Sequence, residues 1–145
     1  MGDFILETVE KEHNRMALNV AALAGDILLA SGAEIFRVEE TINRIAHAYG
    51  IDSCDPFVLS SGFFLTADSN SDQNFAWVRH IPLSATRLDR VTAVNQLSRE
   101  IEHGSYTPEE AYQQLQEIQQ MPANSLLRIP CRELDLAVAI LIRQA

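Results

Sequence analysis

The sequence predicts an α+β domain with four main helices and a small antiparallel β element. Apolar residues recur at three- and four-residue spacing in four separate stretches, the mark of helices that each bury one face. The middle of the chain shifts to short runs rich in Phe, Val, Trp and Thr, which suit strands. Between these stretches fall helix-ending and turn-forming residues, namely Gly32, Gly50, Pro82 and Gly104.

The first helix is expected over about 4–30, where Met16, Val20, Leu23, Ala24, Ile27 and Leu28 make one broad apolar face, with Glu7, Glu10, Glu12 and Asp26 mostly elsewhere. Ala30-Ser31-Gly32 ends it, because glycine takes the left-handed conformation that terminates a helix. Ser31 and Glu34 have the S-x-x-E spacing of a capping box, so a second helix is expected to start there. Val38, Ile42, Ile45, Ala46 and Tyr49 form its buried stripe and Gly50 closes it. Strands are expected at 57–59 and 63–66, separated by a Ser60-Ser61-Gly62 turn. A polar loop spans 68–74, and a third strand over 75–81 ends at Pro82. Helix returns from 84 or 86 to 103 through Leu88, Val91, Val94, Leu97 and Ile101. Thr107-Pro108-Glu109-Glu110 is a complete start signal for the fourth helix, which turns Ala111, Leu115 and Ile118 inward. Pro122 and Pro130 break the helical pattern beyond Met121, and 131–145 reads as a short helical tail.

A chain of 145 residues with 47% hydrophobic content suffices for one core without disulfide or metal. Twenty acidic residues against eleven basic ones give a net charge of −9, which repels nucleic acid and anionic lipid. Cys54 and Cys131 form neither a disulfide framework nor a zinc spacing and are expected to be reduced thiols. The start, MGDFILETVEKEHNR, is no signal peptide, and Leu6 breaks the myristoylation pattern after Gly2. Residues 16–33 are interrupted by Asn19 and Asp26, and Leu134–Ile142 is half the length of a span and contains Asp135, so no membrane crossing is expected.

Motifs for chemistry are absent: His13, His47, His80 and His103 are scattered, with no H-E-x-x-H, G-x-S-x-G or phosphate loop. No catalytic residue, metal ligand or cofactor is assigned, and the chain is not expected to be an enzyme. Ser60, Ser61, His80 and Asp89 would have to converge for a small hydrolase, whereas small residues in a hairpin turn explain the serines more simply. Glu34, Arg37 and Glu40 share a helical surface, either as an exposed ion-pair ladder or as a charged patch that meets another domain or senses a ligand.

The run from Gly25 through Ser31-Gly32-Ala33-Glu34 to Arg37-Val38-Glu39 resembles the signature of the amino-terminal domain of the threonine/serine exporter family. Residues 57–68, Arg87-Leu88-Asp89-Arg90-Val91, Asn95-Gln96-Leu97-Ser98-Arg99 and Thr107-Pro108-Glu109-Glu110-Ala111 resemble its later parts in the same order, so the likeness covers about 15–125. The resemblance implies a bacterial or fungal amino-acid efflux protein whose soluble domain, on the cytoplasmic side of the membrane, precedes several transmembrane helices. It makes Gly32, Glu34, Arg37 and Glu39 the functional surface, docking on or gating a transmembrane transporter domain or subunit. A second copy of the chain is the other partner considered. At the carboxyl end, Ser125 to Pro130 begins like an apolar span, then Cys131-Arg132-Glu133-Leu134-Asp135 turns polar. Residues 1–125 are thus expected to form the domain and 126–145 a divergent tail, truncated or frameshifted before the first transmembrane helix. The alternatives are a small hydrolase-like domain or a stand-alone helical interaction module.

Overall fold

The computed structural model describes residues 1–68, 74–82 and 84–123. In chain order the elements are α1 (Gly2–Ala30), α2 (Ile35–Ala48), β1 (Cys54–Leu59), β2 (Gly62–Asp68), β3 (Asn74–His80), α3 (Leu88–Glu102) and α4 (Pro108–Gln119). This is the α+β architecture that the periodicities predict.

The second half of α1 is the centre of the core. Ala17, Leu18, Val20, Ala21, Ala22, Ala24, Gly25, Ile27, Leu28 and Leu29 are all buried, and α2, α3, α4 and β2 all pack on this helix. The single apolar face expected from periodicity is therefore replaced by burial on nearly every side. Alanine and glycine between the larger residues leave room for neighbours all round, and a helix apolar on all sides belongs inside. The first ten residues are exposed, including Phe4, Ile5, Leu6 and Val9.

The connection from α1 to α2 corrects the expected capping box. Ser31 ends α1, and Gly32 follows at φ 81°, where its amide donates to Leu29 O at 3.2 Å and that of Ala33 to Leu28 O at 3.0 Å. These two bonds make a Schellman ending. The residue capping α2 is Glu34, with ψ 141° and no side-chain cap bond. Two residues of turn thus separate Ser31 from the position its hydroxyl would need, and Ser31 Oγ is buried without a hydrogen-bond partner among the described residues.

The sheet is antiparallel in the order β1-β2-β3. Its inner face buries Val58, Phe63, Leu65 and Ala67 against the helices. Phe57, Phe64 and Val78 lie opposite one another on the outer face and are exposed. Only Ser60 and Ser61 form the β1–β2 turn; Gly62, expected in it, opens β2 and pairs with His80. A Cβ at Gly62 would overlap the Arg79 carbonyl oxygen, so glycine permits the close approach of β2 and β3.

Helix α3 begins at Leu88, later than periodicity suggests: Arg87 caps it in a non-helical conformation, φ −128° and ψ 81°, and the residues before it are tied to the end of α1. Ser84 N–H donates to Ala30 O at 3.3 Å and Arg87 N–H to Ser31 O at 3.0 Å. At α4 the capping box forms as expected: Glu110 N–H donates to Thr107 Oγ1 at 3.3 Å, and Thr107 N–H to Glu110 Oε2 at 3.0 Å. Most of the predicted 68–74 loop, the 126–145 tail and Cys131 lie outside the described residues.

Candidate functional site

The signature residues converge on the corner between α1 and α2. Gly32 sets the reversal, and Glu34 follows in extended conformation, its carbonyl accepting from Arg37 N–H at 3.0 Å and Val38 N–H at 3.1 Å. Its carboxylate is exposed and enters no ion pair with another described residue. Ile35 and Phe36 beside it are 42% and 59% exposed. The Arg37 guanidinium lies 5.7 Å from the Phe36 ring centre, close enough for a cation–π contact.

The Glu34–Arg37–Glu40 ion-pair ladder, one of the two readings of that surface, does not form among the described residues. Glu40 pairs with Arg44 at 2.8 Å, one turn onward, and Arg44 continues to Glu102 at 3.8 Å and Ser98 Oγ at 3.3 Å, joining α2 to α3. Glu39 also departs from the patch. It is half-buried, and its Oε1 accepts from Val58 N–H at 3.2 Å, which ties α2 to the edge of β1. Gly32, Glu34 and Arg37 therefore share one exposed corner, and Glu39 turns toward the sheet.

Two polar clusters escaped the sequence reading. In the first, Asp26 keeps 18% of its side chain exposed, with Oδ2 3.8 Å from Arg79 Nε and a buried Oδ1 that has no hydrogen-bond partner among the described residues. Burial pushes this carboxyl up to about 6, with Arg79 opposing the shift. The available signal was an acid inside an apolar helical run, which argues against a membrane span and equally marks a functional candidate. In the second, Arg87 Nε and Nη2 donate to the buried Asp89 carboxylate at 2.8 and 2.6 Å. Arg87 Nη2 also reaches the carbonyls of Met121 and Pro122 at 3.1 Å each, and Arg90 Nη2 reaches Met121 O at 3.1 Å. Both arginines lie in a string that stood out in the sequence only for its resemblance to the family.

The hydrolase constellation does not assemble into a pocket. Ser60 and Ser61 are exposed in the hairpin turn and His80 is exposed at the end of β3, whereas Asp89 is buried against Arg87. Cavities of about 170, 480 and 350 Å³ lie along the first half of α1, and none is lined by these four residues. No group of three or more His, Cys, Asp or Glu among the described residues could hold a metal ion. Cys54 is buried, and burial, reinforced by Asp55, pushes its thiol up to about 11, which suppresses the reactive thiolate.

No helix among the described residues is long and apolar enough to cross a membrane. A sequence profile of the family described as "Putative threonine/serine exporter" matches residues 19–131. No curated protein and no solved structure matches the chain. The matched span takes in the buried half of α1, the signature corner, the sheet, α3 and α4, well over half of the sequence. The chain belongs to the threonine/serine exporter family, whose function is transport and whose place is at a membrane.

Proposed function

We propose that this chain is the regulatory and docking domain of a threonine/serine exporter-like transporter, acting in amino-acid efflux from the cytoplasmic side against a transmembrane domain or subunit. The observation that carries this reading is the α1–α2 corner. Within the family signature, Glu34, Ile35, Phe36 and Arg37 are all exposed, and neither charge is spent on an ion pair with another described residue. An aromatic ring with a guanidinium against it is the kind of anchor on which interfaces concentrate their binding energy. The described helices supply no membrane path, so their contribution is contact rather than conduction. A net charge of −9 favours a protein surface over an anionic lipid surface as the partner.

The test is threonine and serine efflux from cells in which this gene is the sole family member. Deletion should abolish or uncouple efflux, and unchanged efflux would sink the proposal. Phe36→Ser with Arg37→Glu should leave the folded chain intact, since both side chains are exposed, yet abolish or uncouple efflux as deletion does. A stable dimer through this corner, without recruitment to membranes, would favour a stand-alone interaction module instead.

A further inference from the structure

We propose that Arg87 is a positioning residue that couples the signature corner to the end of α4, so that displacement of either is transmitted to the other. Its backbone and side chain hold the two places at once. The Arg87 N–H donates to Ser31 O at 3.0 Å, immediately before the Gly32 reversal. Ser84 reinforces that anchor, with N–H and Oγ bonds to Ala30 O at 3.3 and 3.2 Å. The two-pronged bond to Asp89 fixes the plane of the guanidinium, which points Nη2 at the Met121 and Pro122 carbonyls, 3.1 Å away. The path from the corner to the end of α4 is thus one residue long, although Ser31 and Met121 are far apart in sequence. Lysine could not substitute, because a single ammonium cannot hold a carboxylate with a fork and still reach two carbonyls.

Ser31 Oγ, at the corner, and Arg90 Nε, on α3 beside Arg87, are buried without hydrogen-bond partners among the described residues. The coupling stands on the Arg87 contacts; its use, passing a docking event to the chain beyond α4, rests on the proposed docking function.

The experiment is a double-mutant cycle read by amide hydrogen exchange on the full chain, comparing wild type, Gly32→Ala, Arg87→Gln and the double variant. Gly32→Ala strains the corner because glycine there has φ 81°. The readout is exchange at Gln120 and Met121, whose amides close the last turn of α4 on Gln116, Glu117 and Ile118, normalised to core amides of α1. Arg87→Gln should speed this exchange by roughly three- to tenfold, the lower part of what coupled neighbouring groups show. Gly32→Ala should speed it in the presence of Arg87 and add nothing in its absence. Equal effects of Gly32→Ala in both backgrounds, or none in either, would overturn the proposal. Should Gly32→Ala fail to fold, Ala33→Gly loosens the same turn. No partner or transport enters this readout, so its failure leaves the docking proposal standing, and loss of docking leaves the coupling standing.

Discussion

Asp26 should make the fold more stable in mild acid than its other carboxylates would allow. Burial raises its carboxyl from the ordinary 3.8 to about 6, and the nearest cation, Arg79, is 3.8 Å away. The folded chain therefore holds a proton that the unfolded chain releases. This stabilising contribution is complete below about pH 4 and disappears as pH rises through about 6. At 1.36 kcal/mol per pH unit the rise corresponds to about 3 kcal/mol. Because part of the side chain remains in water, about 1–3 kcal/mol is the working range. Asp26→Asn removes the titration. Urea unfolding of both proteins at pH 7.5 and pH 4.5 isolates the effect, since the other carboxylates are common to both. Relative to wild type, the variant should gain about 1–2 kcal/mol at pH 7.5 over its standing at pH 4.5, where the unfolded carboxyl has already begun to ionise. The change with pH is diagnostic, because an ill-fitting amide adds only a constant offset. A stability difference that is the same at both pH values would refute the reasoning. A carboxylate that weakens the fold at neutral pH inside the family signature points to use rather than support, so efflux should fall in the variant despite its firmer fold.

Gly62→Ala forces a Cβ into the Arg79 carbonyl and should cost about 1–3 kcal/mol by urea unfolding, with faster amide exchange across β3; a change under about 0.5 kcal/mol would show that the strands part freely. Thr107→Ala removes the acceptor of the Glu110 amide and should lower stability by about 1 kcal/mol in the same assay, while Thr107→Ser should restore most of it. In a Cys131→Ser background, Cys54 should react with a disulfide reagent at pH 8 only as fast as the chain opens, because its thiol stands up at about 11, and reaction should become rapid in urea.

What the sequence disclosed is what local spacing controls. The Thr107–Glu110 box needs only residues three apart, and it forms as read. The stripe of α2 is likewise buried at Val38, Ile42, Ile45 and Ala46 as its periodicity requires. What escaped depends on partners distant in sequence. The segment before α3 is held by bonds from Ser84 and Arg87 to the end of α1, some fifty residues earlier, which no local spacing announces. The role of Gly62 depends on the Arg79 carbonyl, and the lone S-x-x-E spacing misled because the Schellman ending at Gly32 intervenes. Asp26 was visible as an anomaly, but its meaning required the sheet that covers it.

The candidate site shows the same division within one motif. From Gly25 to Glu39 the chain spends Gly25, Ile27, Leu28, Leu29 and Val38 on the core, and Glu39 on the β1 edge. Ser31 is buried too, but it serves the fold through its carbonyl while its hydroxyl goes unmet. Glu34, Ile35, Phe36 and Arg37 contribute no buried side chain to the core. A signature string cannot separate these roles, because the pattern reads the same whether a residue is held by packing or by a partner. Burial separates them. Exposed apolar and charged side chains that the fold leaves unused, placed one turn from a reversal tied through Arg87 to the end of α4, are what the proposed docking function would use. Substitutions at Phe36 and Arg37 should therefore separate binding from stability, whereas those at Glu39 should disturb both.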